Sequence, residues 1–280
     1  MLADGRTLGY RALGATEGPA VLVFHGTPGS RLSWDFLHEA AVELGIRVVA
    51  PDRPGIGLSD DQSNRGILDW PSDMTELVDQ LGIDAFSVAG WSGGAPYALA
   101  CAVALPDRVT AVGIVSGISP LDRDGAYDGM GRSERNALQL THKAVWLAGP
   151  MYRGLRELIR FQPSIARRLI ETSLPPRDRA EFEARGSAKD ALAYLREALR
   201  QGPRGVVIDY RLFTFPWGFE LAEVGVPTKV FHGEHDRSIP PHHADEFVSR
   251  IPGATLTIWS KGGHLAVVDH ATELLTAVTN

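Results

Sequence analysis

Phe86-Ser87-Val88-Ala89-Gly90-Trp91-Ser92-Gly93-Gly94-Ala95 decides the reading of this chain. Phe86 to Ala89 is an apolar run of strand length, and Ala95 to Leu105 is helix-like, so a strand turns sharply into a helix. Only glycine fits the crowded flanking positions Gly90 and Gly94 of so tight a turn. The turn pushes the Ser92 hydroxyl out of the sheet edge and leaves the next backbone N–H, that of Gly93, free to hold an anion. Gly-x-Ser-x-Gly arises by chance in a chain with 30 glycines. The strand before it and the helix after it separate this one from coincidence.

The same rhythm extends outward from Ser92. Ala20 to Phe24 reads as a buried strand, ended by His25-Gly26-Thr27-Pro28-Gly29. Ser33 to Leu44 reads as a helix, with Trp34, Leu37, Ala41 and Leu44 at helical spacing. Ile46 to Ala50 is the next strand, followed by the Pro/Gly-rich loop Pro51 to Ser59 and a helix over Asp69 to Leu81. Further strands are expected at Val109 to Val115, Thr228 to Phe231 and Thr255 to Trp259, with a last helix from Leu265 to Val278. This alternation predicts an α/β fold: a mostly parallel central sheet with helices on both faces.

The stretch 120–216 breaks the rhythm. It reads as several helices with loop signals at Gly129-Met130-Gly131, Leu174-Pro175-Pro176 and Gly202-Pro203, and one possible strand at Val206-Val207-Ile208. The expected organisation is a core formed by 1–119 and 217–280, with 120–216 as a helical cap inserted after the strand ending near residue 116. The cap arginines Arg153, Arg156, Arg160, Arg167 and Arg168 interleave with Leu155, Leu158, Ile159, Leu169 and Ile170, the pattern of a solvated face opposite a packed one.

Composition narrows the class of protein. Hydrophobic residues make up 44% of the 280 and charged residues 22%, which is ordinary for one large globular domain. A net charge of −6 argues against a general nucleic-acid surface. The lone Cys101 rules out an intramolecular disulfide and falls in the apolar helix after Ser92. No apolar run is long enough to span a bilayer, and Met1 to Arg6 shows no signal-peptide pattern, so a cytoplasmic location is the expectation.

A serine hydroxyl needs a base to take its proton, and the base needs a group to orient it. His264, in Lys261-Gly262-Gly263-His264, lies just past the strand ending at Trp259; Asp236, in Gly233-Glu234-His235-Asp236, lies just past the strand ending at Phe231. Ser92, Asp236 and His264 thus each follow a strand and face one sheet edge, in the chain order nucleophile, acid, base. Asp122 is the rival acid. The backbone N–H groups of Thr27 and Gly93 are the expected oxyanion donors. His25 is read as a structural hydrogen-bonder beneath the anion loop, and His270 as surface or packing. His232, His235, His242 and His243 cluster near Asp236 but lack metalloprotease spacing, so neither metal nor cofactor is expected. Trp91, Trp146, Met151, Phe213 and Trp217 are candidates for an apolar substrate pocket.

Five segments carry a family resemblance: His25 to Ser30, Asp52-Arg53-Pro54-Gly55-Ile56-Gly57-Leu58-Ser59, Gly90 to Gly94, Gly233 to Asp236, and Gly262-Gly263-His264. On these the sequence resembles the α/β-hydrolase superfamily, and within it the small serine esterases and proline-iminopeptidase-like hydrolases. The resemblance implies two-step acyl transfer, with a small-molecule ester as the expected substrate. Amide or iminopeptide hydrolysis, lactone opening, carbon–carbon bond hydrolysis and a slow-turnover sensor on the same scaffold stay open. Proline iminopeptidases usually carry Gly where Thr27 stands and acidic cap residues that bind a free amine. The relatives that use Asp as nucleophile are excluded by Ser92.

Overall fold

A computed structural model describes residues 1–184 and 188–280, with side chains described for 1–180 and 192–280. The part of the expected cap at 185–187 lies outside the described residues. Seven strands form one sheet: β1 (Tyr10–Gly14), β2 (Ala20–Phe24), β3 (Arg47–Pro51), β4 (Phe86–Trp91), β5 (Val109–Val115), β6 (Thr228–Gly233) and β7 (Thr255–Trp259). Their spatial order is β1-β3-β2-β4-β5-β6-β7. β2 to β7 pair in parallel, and only β1 runs antiparallel, against β3. β1 was absent from the sequence expectation. Of its residues only Leu13 is buried, so it carries almost no apolar signal.

Period-two alternation sends neighbouring side chains of each strand to opposite faces. Leu22, Phe24, Val49 and Val88 pack with α2 (Trp70–Gln80) and α3 (Ala95–Ala104) on one face; Val21, Val23, Val48 and Ala89 pack on the other with residues of α1 (His38–Leu44) and α11 (Ala271–Thr279). Both faces being covered explains the continuous apolar runs. The expected Ser33 to Leu44 helix is two pieces, a 3₁₀ stretch over Arg31–Leu37 and then α1. The last helix likewise opens with a 3₁₀ turn over Ala266–His270.

Between β5 and β6 the described residues form helices without a strand: α4 (Arg132–Lys143), α5 (Val145–Phe161), α6 (Pro163–Ser173), α7 (Pro176–Ala184), α8 (Ala188–Ala198) and α9 (Arg204–Phe213). Val206 to Ile208, read from sequence as a strand candidate, lie instead inside α9. Three β-branched residues in a row suggested extended chain, but Val206, Tyr210 and Phe213 recur at helical spacing and are buried. That apolar stripe, packed on the core, overrides the local β preference. α10 (His242–Arg250) covers β6 and β7. No helix among the described residues is long and apolar enough to cross a membrane.

Candidate active site

The turn after β4 is as tight as its glycines require. A side chain at Gly94 would overlap the carbonyl oxygen of Phe24 in the neighbouring strand, and one at Gly90 would lie 2.7 Å from the Ala95 Cα. Ser92 itself holds a left-handed backbone, φ 55°, a strained conformation for a residue with a Cβ. It starts a short 3₁₀ turn, Ser92–Gly94, that runs directly into α3, with Pro96 in the first helical turn. The serine therefore stands at the carboxyl end of the parallel strands, where chemistry concentrates in open α/β sheets.

Asp236 follows β6 and is fully buried. Its Oδ1 accepts the backbone N–H groups of Ser238 (2.8 Å) and Ile239 (2.9 Å), so its own turn fixes it. Its Oδ2 accepts from His264 Nδ1 at 2.7 Å. Burial would raise the Asp236 carboxyl, but the His264 charge and this hydrogen bond override it and hold it low. For His264, burial works against the proton, yet Asp236 first, then Asp178 and Glu134, push the imidazole up to about 9. Trp91, next to Ser92, donates its indole N–H to the His264 carbonyl at 3.2 Å, and its ring lies 5.9 Å from the imidazole. The residue beside the nucleophile candidate thus buttresses the base candidate.

Thr27 and Gly93 meet on the other side of Ser92. A Cβ on Gly26 would lie 3.7 Å from the Ser92 hydroxyl, and one on Gly93 would lie 3.0 Å from the Thr27 hydroxyl. His25 stays within the loop: its Nδ1 donates to Gly26 O at 2.8 Å while its Nε2 accepts the Arg53 N–H at 3.4 Å. Burial, then the Arg53 charge, keeps that imidazole neutral, so it is no base for Ser92.

The remaining expected residues are dispersed. Asp122 is exposed and lines a separate cleft with Glu220 and Arg250. Trp146 of α5 is 72% exposed, and Met151 lines an outer groove with Leu140, Leu155 and Leu169. Trp217 is buried against Phe219. Phe213 does reach the site, with its ring edge 2.7 Å from where a Gly93 Cβ would stand. His270 stacks on Trp259 at 4.3 Å, and His232 bonds Ile239 O at 2.8 Å. Among the described residues, no group of three or more His, Cys, Asp or Glu is arranged to hold a metal ion.

Three residues from the helices between β5 and β6 that sequence reasoning missed bear on the site. Glu134 of α4 is pushed up to about 7, chiefly by burial, and it is electrostatically coupled to His264. Asp178 of α7 is pushed up to about 6 for the same reason, while its Oδ1 accepts the Leu265 N–H at 3.2 Å, gripping the loop that carries His264. Tyr210 of α9 donates to Thr27 O at 2.8 Å and lies 3.4 Å from Glu134 Oε2. A buried polar residue on an otherwise apolar helical stripe was the available signal for Tyr210. For Glu134 and Asp178, which sit in charged helical segments, the sequence carried none.

Comparison with known proteins places these features in context. Residues 19–271 match the family described as alpha/beta hydrolase fold. A relative from Klebsiella pneumoniae, a 2-hydroxy-6-oxononadienedioate/2-hydroxy-6-oxononatrienedioate hydrolase, is 28% identical over 99% of this chain and 91% of its own length. Among solved structures, an esterase from Rhodococcus sp. superposes with a TM-score of 0.72 at 21% identity, covering 99% of this chain and 96% of that one. An enol-lactonase from Burkholderia xenovorans gives 0.70 at 18% identity, over 98% and 97%. Both structures share the fold.

Proposed function

The chain belongs to the α/β hydrolase fold family, and on that premise we propose that it is a serine hydrolase cleaving carboxylic esters of small molecules through an acyl-enzyme. His264 takes the Ser92 proton as the hydroxyl oxygen attacks the ester carbonyl carbon. The Thr27 and Gly93 N–H groups hold the tetrahedral oxyanion, each such donor contributing about 3 kcal/mol of transition-state stabilisation. Asp236 holds the imidazole in the tautomer that accepts at Nε2 and steadies the imidazolium once it forms. That imidazolium protonates the leaving alkoxide, and water then repeats the sequence on the acyl-enzyme.

The observation that carries this reading is the half-buried Asp236–His264 hydrogen bond, 2.7 Å long, with Trp91, next to strained Ser92, against the same imidazole. The two carboxyl groups that act on His264, Glu134 and Asp178, favour an uncharged acyl group. The buried Arg53 and Arg65 are committed to Asp209, which they share. A dicarboxylate, as in the name of the Klebsiella relative, would place further negative charge beside these two carboxyl groups. A second reading, hydrolysis of an amide or iminopeptide bearing a free amine, is favoured by the same two carboxyl groups.

A rate panel separates the readings: neutral aryl and alkyl esters, lactones, N-terminal proline amides and a dienedioate, with Ser92→Ala as blank. Neutral esters are expected to turn over fastest, and only with Ser92 present. Preference for the dienedioate would overturn the charge argument, and an unaltered rate in Ser92→Ala would overturn the mechanism.

A further inference from the structure

One cap helix touches both halves of the proposed anion site. Asp209, Tyr210 and Phe213 of α9 stand on its core-facing side, all buried. Phe213 covers Gly93. Asp209 and Tyr210 converge on Thr27 at two different atoms. The Thr27 hydroxyl donates to Asp209 Oδ2 at 3.1 Å, and the Thr27 carbonyl accepts the Tyr210 hydroxyl at 2.8 Å.

Arg53 completes the clamp. Its guanidinium donates to the Thr27 hydroxyl at 2.8 Å, to Gly26 O at 3.1 Å and to His25 O. The Gly26 carbonyl and the Thr27 N–H belong to one planar peptide unit and point in opposite directions from it. Holding that carbonyl with Arg53 therefore fixes where the Thr27 N–H points. Arg53 is itself held by Asp209, through its Nε at 2.8 Å and its Nη2 at 2.7 Å. The other Asp209 oxygen accepts from Arg65 (2.6 Å) and the Tyr97 hydroxyl (2.8 Å), which anchors the carboxylate to α3. Burial alone would raise the Asp209 carboxyl, but the Arg53 and Arg65 charges hold it well below the usual carboxylate range.

Net stability is a weak reason for such a cluster, because a buried ion triad commonly does no better than well-packed apolar residues of the same volume. What it does supply is a fixed direction for a donor that must be aimed before charge develops. We infer that Asp209 and Tyr210 are positioning residues that aim the Thr27 N–H at the oxyanion, so that the cap sets the anion site as well as covering it. This inference rests on the serine-hydrolase reading above.

The test uses the full chain and four variants. Thr27→Val removes the clamped hydroxyl and keeps the backbone N–H. Thr27→Ser restores the hydroxyl. Tyr210→Phe removes one hydroxyl and keeps the ring that stacks on Tyr152. Asp209→Asn neutralises the hub, and if it fails to fold the other three decide. The readouts are kcat and KM on an aryl ester and the inhibition constant of an alkyl boronic acid, whose Ser92 adduct mimics the tetrahedral intermediate. All are normalised to the fraction of enzyme labelled by a fluorophosphonate.

A misaimed donor is expected to lower kcat about ten- to a hundredfold, with KM within about twofold. Boronate affinity should fall by the same factor as kcat, and Thr27→Ser should stay near wild type. Unchanged kcat in both Thr27→Val and Tyr210→Phe overturns the inference, as do losses confined to KM or to melting temperature. Failure of the wild-type chain to take up fluorophosphonate would instead sink the underlying hydrolase reading.

Discussion

The pH dependence of ester hydrolysis follows from the groups around His264. Burial works against the imidazolium, but Asp236 at 2.7 Å, then Asp178 and Glu134, raise it to about 9. A general base must be neutral to accept the Ser92 proton. At pH 7, two units below that value, only about 1% of the imidazole is neutral. The account therefore expects kcat/KM on an uncharged ester to rise about tenfold per pH unit from 7 and to level off near 9. The sign for stability is the opposite. A histidine whose folded value is raised contributes stability fully below its unfolded value of 6.5, and that contribution is lost as pH rises through about 9. Activity should thus increase over the window in which the fold loses support from this group. A pH-stat assay of kcat/KM, which reports the free enzyme, checks the first claim, and thermal melts at the same pH values check the second. A profile flat between pH 6 and 9, or one with its inflection at or below 6.5, would refute the proposed coupling of the three carboxyl groups to His264.

Further outcomes follow from the same geometry. Glu134→Gln removes one of the charges that raise His264, so the inflection should move to lower pH in the same assay. Asp236→Asn should lower plateau kcat by about 10⁴-fold, because the imidazole loses the acceptor that fixes its tautomer. Circular dichroism should show that variant still folded. Gly94→Ala puts a methyl group into the Phe24 carbonyl. Relieving that overlap should destabilise the chain by about 1–3 kcal/mol in urea titration and abolish turnover by shifting Ser92. A variant that keeps wild-type stability would show the β2–α3 approach to be looser than described.

Much of the core was legible from sequence because parallel strands covered on both faces advertise themselves as apolar runs. Ala20 to Phe24 and Val109 to Val115 both form such strands. The candidate site was read from a related regularity. Ser92, Asp236 and His264 each follow a strand at the same end of the sheet, and the structure brings Asp236 to His264 and sets Trp91, the neighbour of Ser92, against the same imidazole. Edge strand β1 was not legible, since exposed Tyr10 and Arg11 on a short edge resemble loop. The contribution of the helices between β5 and β6 was hidden for a different reason. Glu134, Asp178 and Asp209 reach the site through tertiary packing between segments far apart in the chain. A charged residue in a helix reads as solvated unless its neighbours in space are known. Val206 to Ile208 shows the complementary failure, where local β preference concealed the helical stripe that brings Asp209 and Tyr210 to Thr27.

The most direct test of the central claim is intact-protein mass spectrometry after rapid mixing with an activated aryl ester and acid quench. The account predicts a mass gain of one acyl group, mapped to Ser92 by peptide analysis, with a matching burst of released phenol and neither signal in Ser92→Ala. Steady turnover with no acyl adduct, or an adduct and burst that survive in Ser92→Ala, would contradict it.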